Sequence, residues 1–183
     1  GDGAPLTPIY HKAIEKKLNL RPVSFINLGG IVNFTTIEED GTLFAKDLCA
    51  GMCMIDQWIR NNSQKKYDPE GTIASSGTVS KIILNQYLED FYYFNKSKRS
   101  FDTSDFDISF ARGLSLEDGA ATITAFSAKI ITSKINSLLK EYNKKNIKVI
   151  LCGGGRKNLN LIRQIKLNSN KNLFFLNSEK FDL

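Results

Sequence analysis

A glycine pair between two β-rich segments constrains the fold of this chain more than any other feature. Gly29-Gly30 separates residues 23–28 from residues 31–38, and both segments are rich in β-branched and aromatic side chains. This pattern predicts a tight β-hairpin, with Asn27 and Asn33 on the two shoulders of its turn. Because glycine has no Cβ, a polyanion could also reach the backbone N–H groups of this turn. Two interpretations therefore stand: a plain hairpin with polar shoulders, or a phosphate-binding hairpin.

Turn signals and hydrophobic periodicity extend the hairpin into an α/β domain. The sequence predicts further strands over residues 42–46, 147–151 and 173–176. It predicts helices over residues 9–18, 52–59, 79–88, 115–143 and 158–167, and a mostly irregular segment over residues 91–110. Ser115 and Asp118 have the spacing of a capping box at the start of the fourth of these helices. This order favours a mixed sheet, in which parallel crossover strands extend a three-stranded antiparallel meander and helices pack on the sheet.

Charge and cysteine content exclude several classes of function. The net charge is +6, but the lysines are scattered and do not alternate with aromatics along one element, which disfavours nucleic-acid binding. No apolar run reaches the roughly 18 residues of a membrane span. Cys49, Cys53, Cys152 and the single histidine, His11, lack metal-ligand spacing, so no metal site is predicted. We expect buried thiols, a helix-face histidine and a cytoplasmic protein.

Asp47 is a candidate ligand-contacting residue. It is predicted to close the third strand and to precede a helix, with Gly51 nearby. Open α/β sheets bind ligands at the carboxyl ends of their strands, where this carboxylate is expected. The same position suits a helix N-cap, and the residues do not distinguish the two roles.

The run Gly153-Gly154-Gly155 lies between a buried strand and a helix. Backbone without side chains at this position lets a flat or charged ligand approach closely. The run matches neither a Walker loop nor a GxGxxG loop, so it is either a nucleotide loop or a plain turn. With the Gly29-Gly30 turn and Asp47, it resembles one half of a phosphoryl-transfer cleft.

A series of motifs extends over nearly the whole chain. In chain order, these motifs are Gly3-Ala4-Pro5-Leu6-Thr7-Pro8 with Tyr10-His11, Asn27-Leu28-Gly29-Gly30-Ile31-Val32-Asn33, Asp47…Gly51…Asp56-Gln57-Trp58-Ile59, Tyr67-Asp68, Asp118-Gly119-Ala120-Ala121-Thr122 and Cys152-Gly153-Gly154-Gly155…Asn158. The series resembles that of the anhydro-N-acetylmuramic acid kinases. These kinases belong to the sugar-kinase/Hsp70/actin superfamily, so the resemblance implies an RNase H-like lobe. It also implies that ATP and water are used to open the 1,6-anhydro ring and phosphorylate the sugar in peptidoglycan recycling.

The resemblance also implies residue roles. The phosphate-contacting hairpin would comprise Asn27, Gly29, Gly30 and Asn33. The adenosine-side loop would comprise Gly153, Gly154, Gly155 and Asn158. Gly3, Ala4 and Pro5 would line the sugar pocket, and Asp47 would face the cleft from the substrate side. The implied cofactors are ATP and Mg²⁺, the implied partner is a sugar, and a homodimer is compatible with this picture.

The resemblance predicts a partial enzyme with one altered segment. Residues 1–20 would be an interlobe segment at the sugar pocket, and residues 21–183 a C-terminal lobe truncated at both ends and inactive alone. No catalytic residue is assigned, because the family's base aspartate is expected before Gly1. Where the family reads Asp-Thr-Gly-Pro-Gly-Asn, this chain reads Asp47-Leu48-Cys49-Ala50-Gly51-Met52. That difference leaves open a kinase for another sugar or a non-catalytic binding domain.

Overall fold

The computed structural model describes residues 6–94, 106–141, 148–169 and 174–177. The strands are β1 (Val23–Leu28), β2 (Ile31–Ile37), β3 (Leu43–Ala50), β4 (Lys148–Cys152) and β5 (Phe174–Asn177). The helices are α1 (Leu6–Leu18), α2 (Met52–Asn62), α3 (Thr72–Ser76), α4 (Lys81–Phe94), α5 (Leu116–Glu141) and α6 (Leu159–Asn168). Short 3₁₀ turns occupy Pro69–Gly71, Ser109–Ala111 and Gly154–Lys157.

The five strands form one mixed sheet in the order β3-β2-β1-β4-β5. Strands β1, β2 and β3 pair antiparallel, whereas β4 pairs parallel with both β1 and β5. The predicted meander with parallel crossover strands is therefore confirmed. The helix-containing connection to β4 is long enough for a crossover between parallel strands.

Alternation along β1 divides the core between the two faces of the sheet. Phe25 faces α1 and packs with Ile14 in a small apolar cluster. Ile26 and Leu28 face the opposite way, into the large cluster that includes Phe126 of α5. Helix α5 is central to this layer, because it packs against α2, α3, α4, α6 and β3. No helix among the described residues is long and apolar enough to cross a bilayer.

Helix α5 begins as the sequence predicted and then touches α2 closely. The backbone N–H of Asp118 donates to Ser115 Oγ at 3.1 Å, which confirms the predicted N-terminal cap. Trp58 Nε1 of α2 donates to the Leu116 carbonyl at 2.9 Å. A methyl group on Gly119 would lie only 2.1 Å from Trp58 Cζ2, so the absence of a side chain there sets how closely the helices pack.

Two predicted boundaries were wrong by more than three residues. Helix α4 continues to Phe94, so the first residues of the segment predicted as irregular are helical; residues 95–105 lie outside the described part. The extension is explained by Phe91, whose ring packs edge-on against that of Phe126, with the ring centroids 5.3 Å apart. Strand β3 continues to Ala50, so Asp47 lies inside the strand rather than at its end. Asp47 therefore does not cap α2, whose N-cap position is Gly51.

His11 lies on the buried face of α1, which confirms the predicted helix-face placement. Its ring stacks on Phe25 with centroids 4.4 Å apart, and its Nε2 lies 3.7 Å from Cys152 Sγ. Only 2% of the residue is exposed. Burial disfavours the charged imidazolium and lowers the pKa of His11 to about 4.

Folding stability should therefore fall on mild acidification. Between pH 6.5 and 4 the unfolded chain binds a proton at His11 that the folded chain does not, so the free energy of unfolding decreases as pH falls. The limiting slope for one such group is about 1.4 kcal/mol per pH unit. Urea unfolding measured between pH 5 and 7 checks this. Because the chain has one histidine, His11→Phe should flatten the slope above pH 5, and an unchanged slope would contradict the assignment.

Candidate functional site

The parallel pairing of β1 with β4 places the two glycine loops side by side. Asn27 is in register with Cys152, so the chain leaves both strands at the same edge of the sheet. Gly153 has φ of +80°, and a methyl group there would lie 2.3 Å from Asn27 Oδ1. A methyl group on Gly155 would lie 2.8 Å from the Leu28 carbonyl oxygen. The close contact between the loops therefore depends on glycine at these positions.

Helix α2 is anchored to the hairpin turn through its first backbone N–H groups. The N–H of Met52 donates to the Gly29 carbonyl at 2.9 Å, and the N–H groups of Gly51 and Cys53 donate to the Gly30 carbonyl at 2.9 and 3.2 Å. The turn thus satisfies donors that a helix N-terminus otherwise leaves unpaired. Gly51 makes the approach possible, because a methyl group there would lie 2.3 Å from the Gly29 carbonyl oxygen.

A cleft of about 530 Å³ opens beside these loops. One wall is formed by both glycine loops, with Leu28, Gly29 and Gly30 on one side and Gly154 and Gly155 on the other. Nothing lies within 4 Å of the position that a methyl group on Gly154 would take, so the backbone is open there. The volume falls within the range of small-molecule and cofactor sites, roughly 300–1,000 Å³.

Helix α2 forms a second wall through residues spaced four apart. Met52, Asp56 and Arg60 line the cleft, whereas the apolar residues of the opposite stripe face the core. Asp56 is partly buried, and its Oδ1 is buried with no hydrogen-bond partner among the described residues. The pKa of Asp56 is raised, chiefly by burial, although the nearby Arg60 opposes the shift and Asp68 adds to it.

The turn before α3 forms a third wall. Asp68 is buried, and its two carboxylate oxygens accept hydrogen bonds from the N–H groups of Ile73 and Ala74 at 2.8 and 3.0 Å. Tyr67 and Glu70 line the cleft on either side of Asp68, and both are exposed. Asp68 is therefore a structural residue that accepts hydrogen bonds from the first turn of α3 and fixes the turn before it.

Asn158 joins this turn to α6. Its Oδ1 accepts from the N–H of Leu161 at 2.9 Å and caps the helix. A methyl group on Gly71 would lie 2.2 Å from the same Oδ1, so the turn packs directly on the amide. Asn158 is only 3% exposed, yet its Nδ2 has no partner among the described residues, and the residue lines the cleft. A buried donor without a partner is costly unless a ligand or water satisfies it.

Asn27, Asn33 and Asp47 lie in a row on the opposite face of the sheet. Asn27 pairs with Asn33, and Asn33 pairs with Asp47, across β1, β2 and β3. Residues directly opposite on neighbouring strands share a face, and Asn27 shares its face with Phe25, which packs under α1. None of the three lines the 530 Å³ cleft.

The structure thus brings together part of the predicted site. Gly29, Gly30, Gly154, Gly155 and Asn158 share one cleft. Gly153 contacts Asn27 at the junction of the loops. Gly3, Ala4 and Pro5 lie outside the described residues.

Sequence reasoning missed the contribution of α2 to the cleft. The four-residue spacing of Met52, Asp56 and Arg60, opposite the apolar stripe, was the available signal.

The cysteines lie outside the cleft. No group of three or more His, Cys, Asp or Glu side chains in the part of the chain that the structure describes could hold a metal ion. Cys49, Cys53 and Cys152 are free thiols, and burial raises the pKa of each, that of Cys152 to about 11. Burial thus favours the protonated, unreactive thiol.

The sheet order and the helices packed on the sheet give the α/β fold of an RNase H-like lobe, with the glycine-lined cleft at one edge of the sheet. A solved structure with a similar fold is the activator of the 2-hydroxyisocaproyl-CoA dehydratase from Clostridium difficile, determined with bound ADPNP. The similarity has a TM-score of 0.52 and covers 91% of this chain and 58% of that one, at 15% sequence identity. The predicted fold class is confirmed.

The chain belongs to the anhydro-N-acetylmuramic acid kinase family. The family model matches residues 1–173. The kinase of that name from Pelagibacter ubique is 39% identical over 178 residues, which are 95% of this chain and 48% of the relative. Those from Zymomonas mobilis and Brucella canis are 36% and 39% identical, covering 90% and 86% of this chain and 44% and 42% of theirs. The chain thus spans less than half the length of these relatives.

Adjacent glycines provide a matched test of the loop contact. Gly155→Ala should destabilise the fold by about 1–3 kcal/mol, because its methyl group would press on the Leu28 carbonyl. Gly154→Ala should change stability by less than about 0.5 kcal/mol, because its methyl group would meet open space. Neither residue has a positive φ, so denaturant unfolding of the two variants compares steric crowding alone. Equal destabilisation would contradict the close contact.

Proposed function

We propose that the protein containing this chain is an ATP-dependent kinase of 1,6-anhydro-N-acetylmuramic acid. With water, it would open the anhydro ring and form N-acetylmuramic acid 6-phosphate in the cytoplasm during peptidoglycan recycling. The family membership supports this reaction. The single structural observation that carries the proposal is the cleft in which both glycine loops and the unpartnered Asn158 amide meet.

The cleft would hold the nucleotide. Gly29 and Gly30, flanked by Asn27 and Asn33, would contact the phosphates, since anchoring of α2 holds the turn in one position. Gly153, Gly154, Gly155 and Asn158 would lie beside the adenosine, where open backbone at Gly154 admits a flat group. The dehydratase activator, which has a similar fold, was determined with bound ADPNP, and this supports nucleotide binding by the present chain.

The sugar would bind on the side of the sheet that carries α1. Asp47 would face it there, in line with Asn27 and Asn33 across the strands. Gly3, Ala4 and Pro5, which precede α1, would contribute to the same pocket. The two substrates would then approach the hairpin from opposite faces of the sheet and would meet past the edge of its turn, where the phosphoryl group is transferred.

Mg²⁺ would be held mainly by the nucleotide. In kinases this ion keeps several waters and binds through phosphates and one or two carboxylates, so it needs no cage of protein side chains. When bound, it would neutralise charge on the phosphates that are transferred or released. The described residues would contribute by positioning those phosphates through hairpin backbone.

A kinase for a different sugar is the second candidate. Leu48, Cys49 and Ala50 replace the family's Thr-Gly-Pro, and all three are buried in β3. Their side chains pack in the core rather than reach a ligand, so polar contacts expected from that segment are absent from these three positions. A non-catalytic nucleotide- or sugar-binding domain would fit the same observation.

The kinase proposal is tested with the complete open reading frame that contains this chain. Incubation with ATP, Mg²⁺ and 1,6-anhydro-N-acetylmuramic acid should yield the sugar phosphate, measured by mass spectrometry. Asp47→Asn should lower the rate at least tenfold if the carboxylate contacts the sugar, since a hydrogen bond to a charged group contributes about 1.5–3 kcal/mol. Residues 1–183 alone should turn over little.

Glu39→Gln is the matched control, because it removes an exposed carboxylate in the turn at the far end of β3. Its rate should equal that of the wild type. Absence of product from the wild type would refute the kinase proposal. Nucleotide binding without turnover would then favour a non-catalytic binding domain. Phosphorylation of another amino sugar would instead favour a kinase for a different sugar. Equal rates for Asp47→Asn and Glu39→Gln would remove Asp47 from the site.

A further inference from the structure

We propose that Asp56 makes the cleft selective for ribonucleotides, by accepting hydrogen bonds from the ribose hydroxyl groups. The proposal rests on the proposed function, because it requires a nucleotide in the 530 Å³ cleft. It assigns a specificity-determining role to a residue of α2.

Two polar side chains that line the cleft carry buried atoms without partners. Asp56 Oδ1 is an acceptor and Asn158 Nδ2 is a donor, and neither has a hydrogen-bond partner among the described residues. Buried polar atoms are nearly always paired in folded proteins, because leaving them unpaired costs free energy. One donor and one acceptor unpaired in the same cleft indicate a ligand that itself offers both kinds of group.

The charge of Asp56 restricts which part of a nucleotide it can contact. An ionised carboxylate only accepts hydrogen bonds. Asp56 would therefore repel the phosphates and the acceptor nitrogens of the base, because these groups also only accept hydrogen bonds. The remaining partners are the ribose hydroxyls and the exocyclic amine of the base, both of which donate.

The position of Asp56 along α2 favours the ribose. The N–H of Met52 binds the Gly29 carbonyl, so the start of α2 lies at the hairpin that would hold phosphates. Asp56 follows one turn later, about 6 Å along the helix axis. The ribose is the group bonded directly to the phosphates, whereas the exocyclic amine lies at the far end of the base. An acidic side chain on the ribose hydroxyls is also how dinucleotide-binding folds recognise that sugar.

The test measures nucleotide affinity by isothermal titration calorimetry on the complete open reading frame. The ligands are ADP, 2′-deoxy-ADP, 3′-deoxy-ADP and IDP. In IDP an oxygen takes the place of the exocyclic amine of adenine. Wild type should bind ADP roughly tenfold more tightly than at least one deoxy-nucleotide. Asp56→Ala should bind ADP roughly tenfold more weakly and should no longer distinguish it from either deoxy-nucleotide.

Two controls separate recognition from folding and from charge. Glu70→Gln removes an exposed carboxylate from the same cleft and should retain the wild-type preference for ADP. Asp56→Ala should melt no lower than wild type, because it removes a partly buried carboxylate whose Oδ1 is unpaired and adds a strong helix former. Asp56→Asn, which keeps the side-chain shape, provides a second measurement if the alanine variant melts lower.

The outcomes distinguish the two proposals. If wild type binds no ADP, the nucleotide cleft itself is refuted, and the role of Asp56 with it. If ADP binds but wild type accepts both deoxy-nucleotides equally, the ribose assignment alone is overturned. The same conclusion follows if both Asp56 variants retain the preference, or if they lose discrimination between ADP and IDP instead.

Discussion

The parallel pairing of β1 with β4 is the interaction on which the site depends. It brings Asn27 level with Cys152, so the glycine loops that follow the two strands emerge together. The two loops lie closer together than a side chain at position 153 would allow, because a methyl group on Gly153 would lie 2.3 Å from Asn27 Oδ1. Anchoring of α2 to the Gly29 and Gly30 carbonyls then fixes the turn from the other side. The wall of the cleft that the glycine loops form is thus positioned by the sheet.

The sheet separates two sets of candidate residues that are close in sequence. Gly29 and Gly30 line the cleft on the α2 side, whereas Asn27, Asn33 and Asp47 share the face covered by α1. Under the proposed function, the hairpin turn would lie beside both substrates, where its backbone could position the phosphoryl group for transfer. Positioning of this kind supplies much of the catalysis in phosphoryl transfer.

The cleft also combines rigid support with polar groups that the fold leaves unsatisfied. Both carboxylate oxygens of Asp68 accept hydrogen bonds from the first turn of α3 and so fix the turn that packs on Asn158. Asn158 uses its Oδ1 to cap α6 but leaves Nδ2 unpaired, and Asp56 leaves Oδ1 unpaired. The structural residues hold the wall, and the unpaired atoms mark where a ligand would be recognised.

Local sequence signals determined the hairpin, the meander and parallel crossover strands, the cap of α5 and the glycine loops, because each depends on turn chemistry or on periodicity within a short window. The glycine motifs also indicated one wall of the cleft. Only the tertiary structure decided the rest. β3 extends past Asp47 because Leu48, Cys49 and Ala50 pack in the core, and α4 extends to Phe94 because Phe91 meets Phe126. Strand register places Asp47 on the face of the sheet away from the cleft, and the rotation of α2 directs Asp56 into the cleft. Long-range packing sets both the register and the rotation, whereas the local sequence does not.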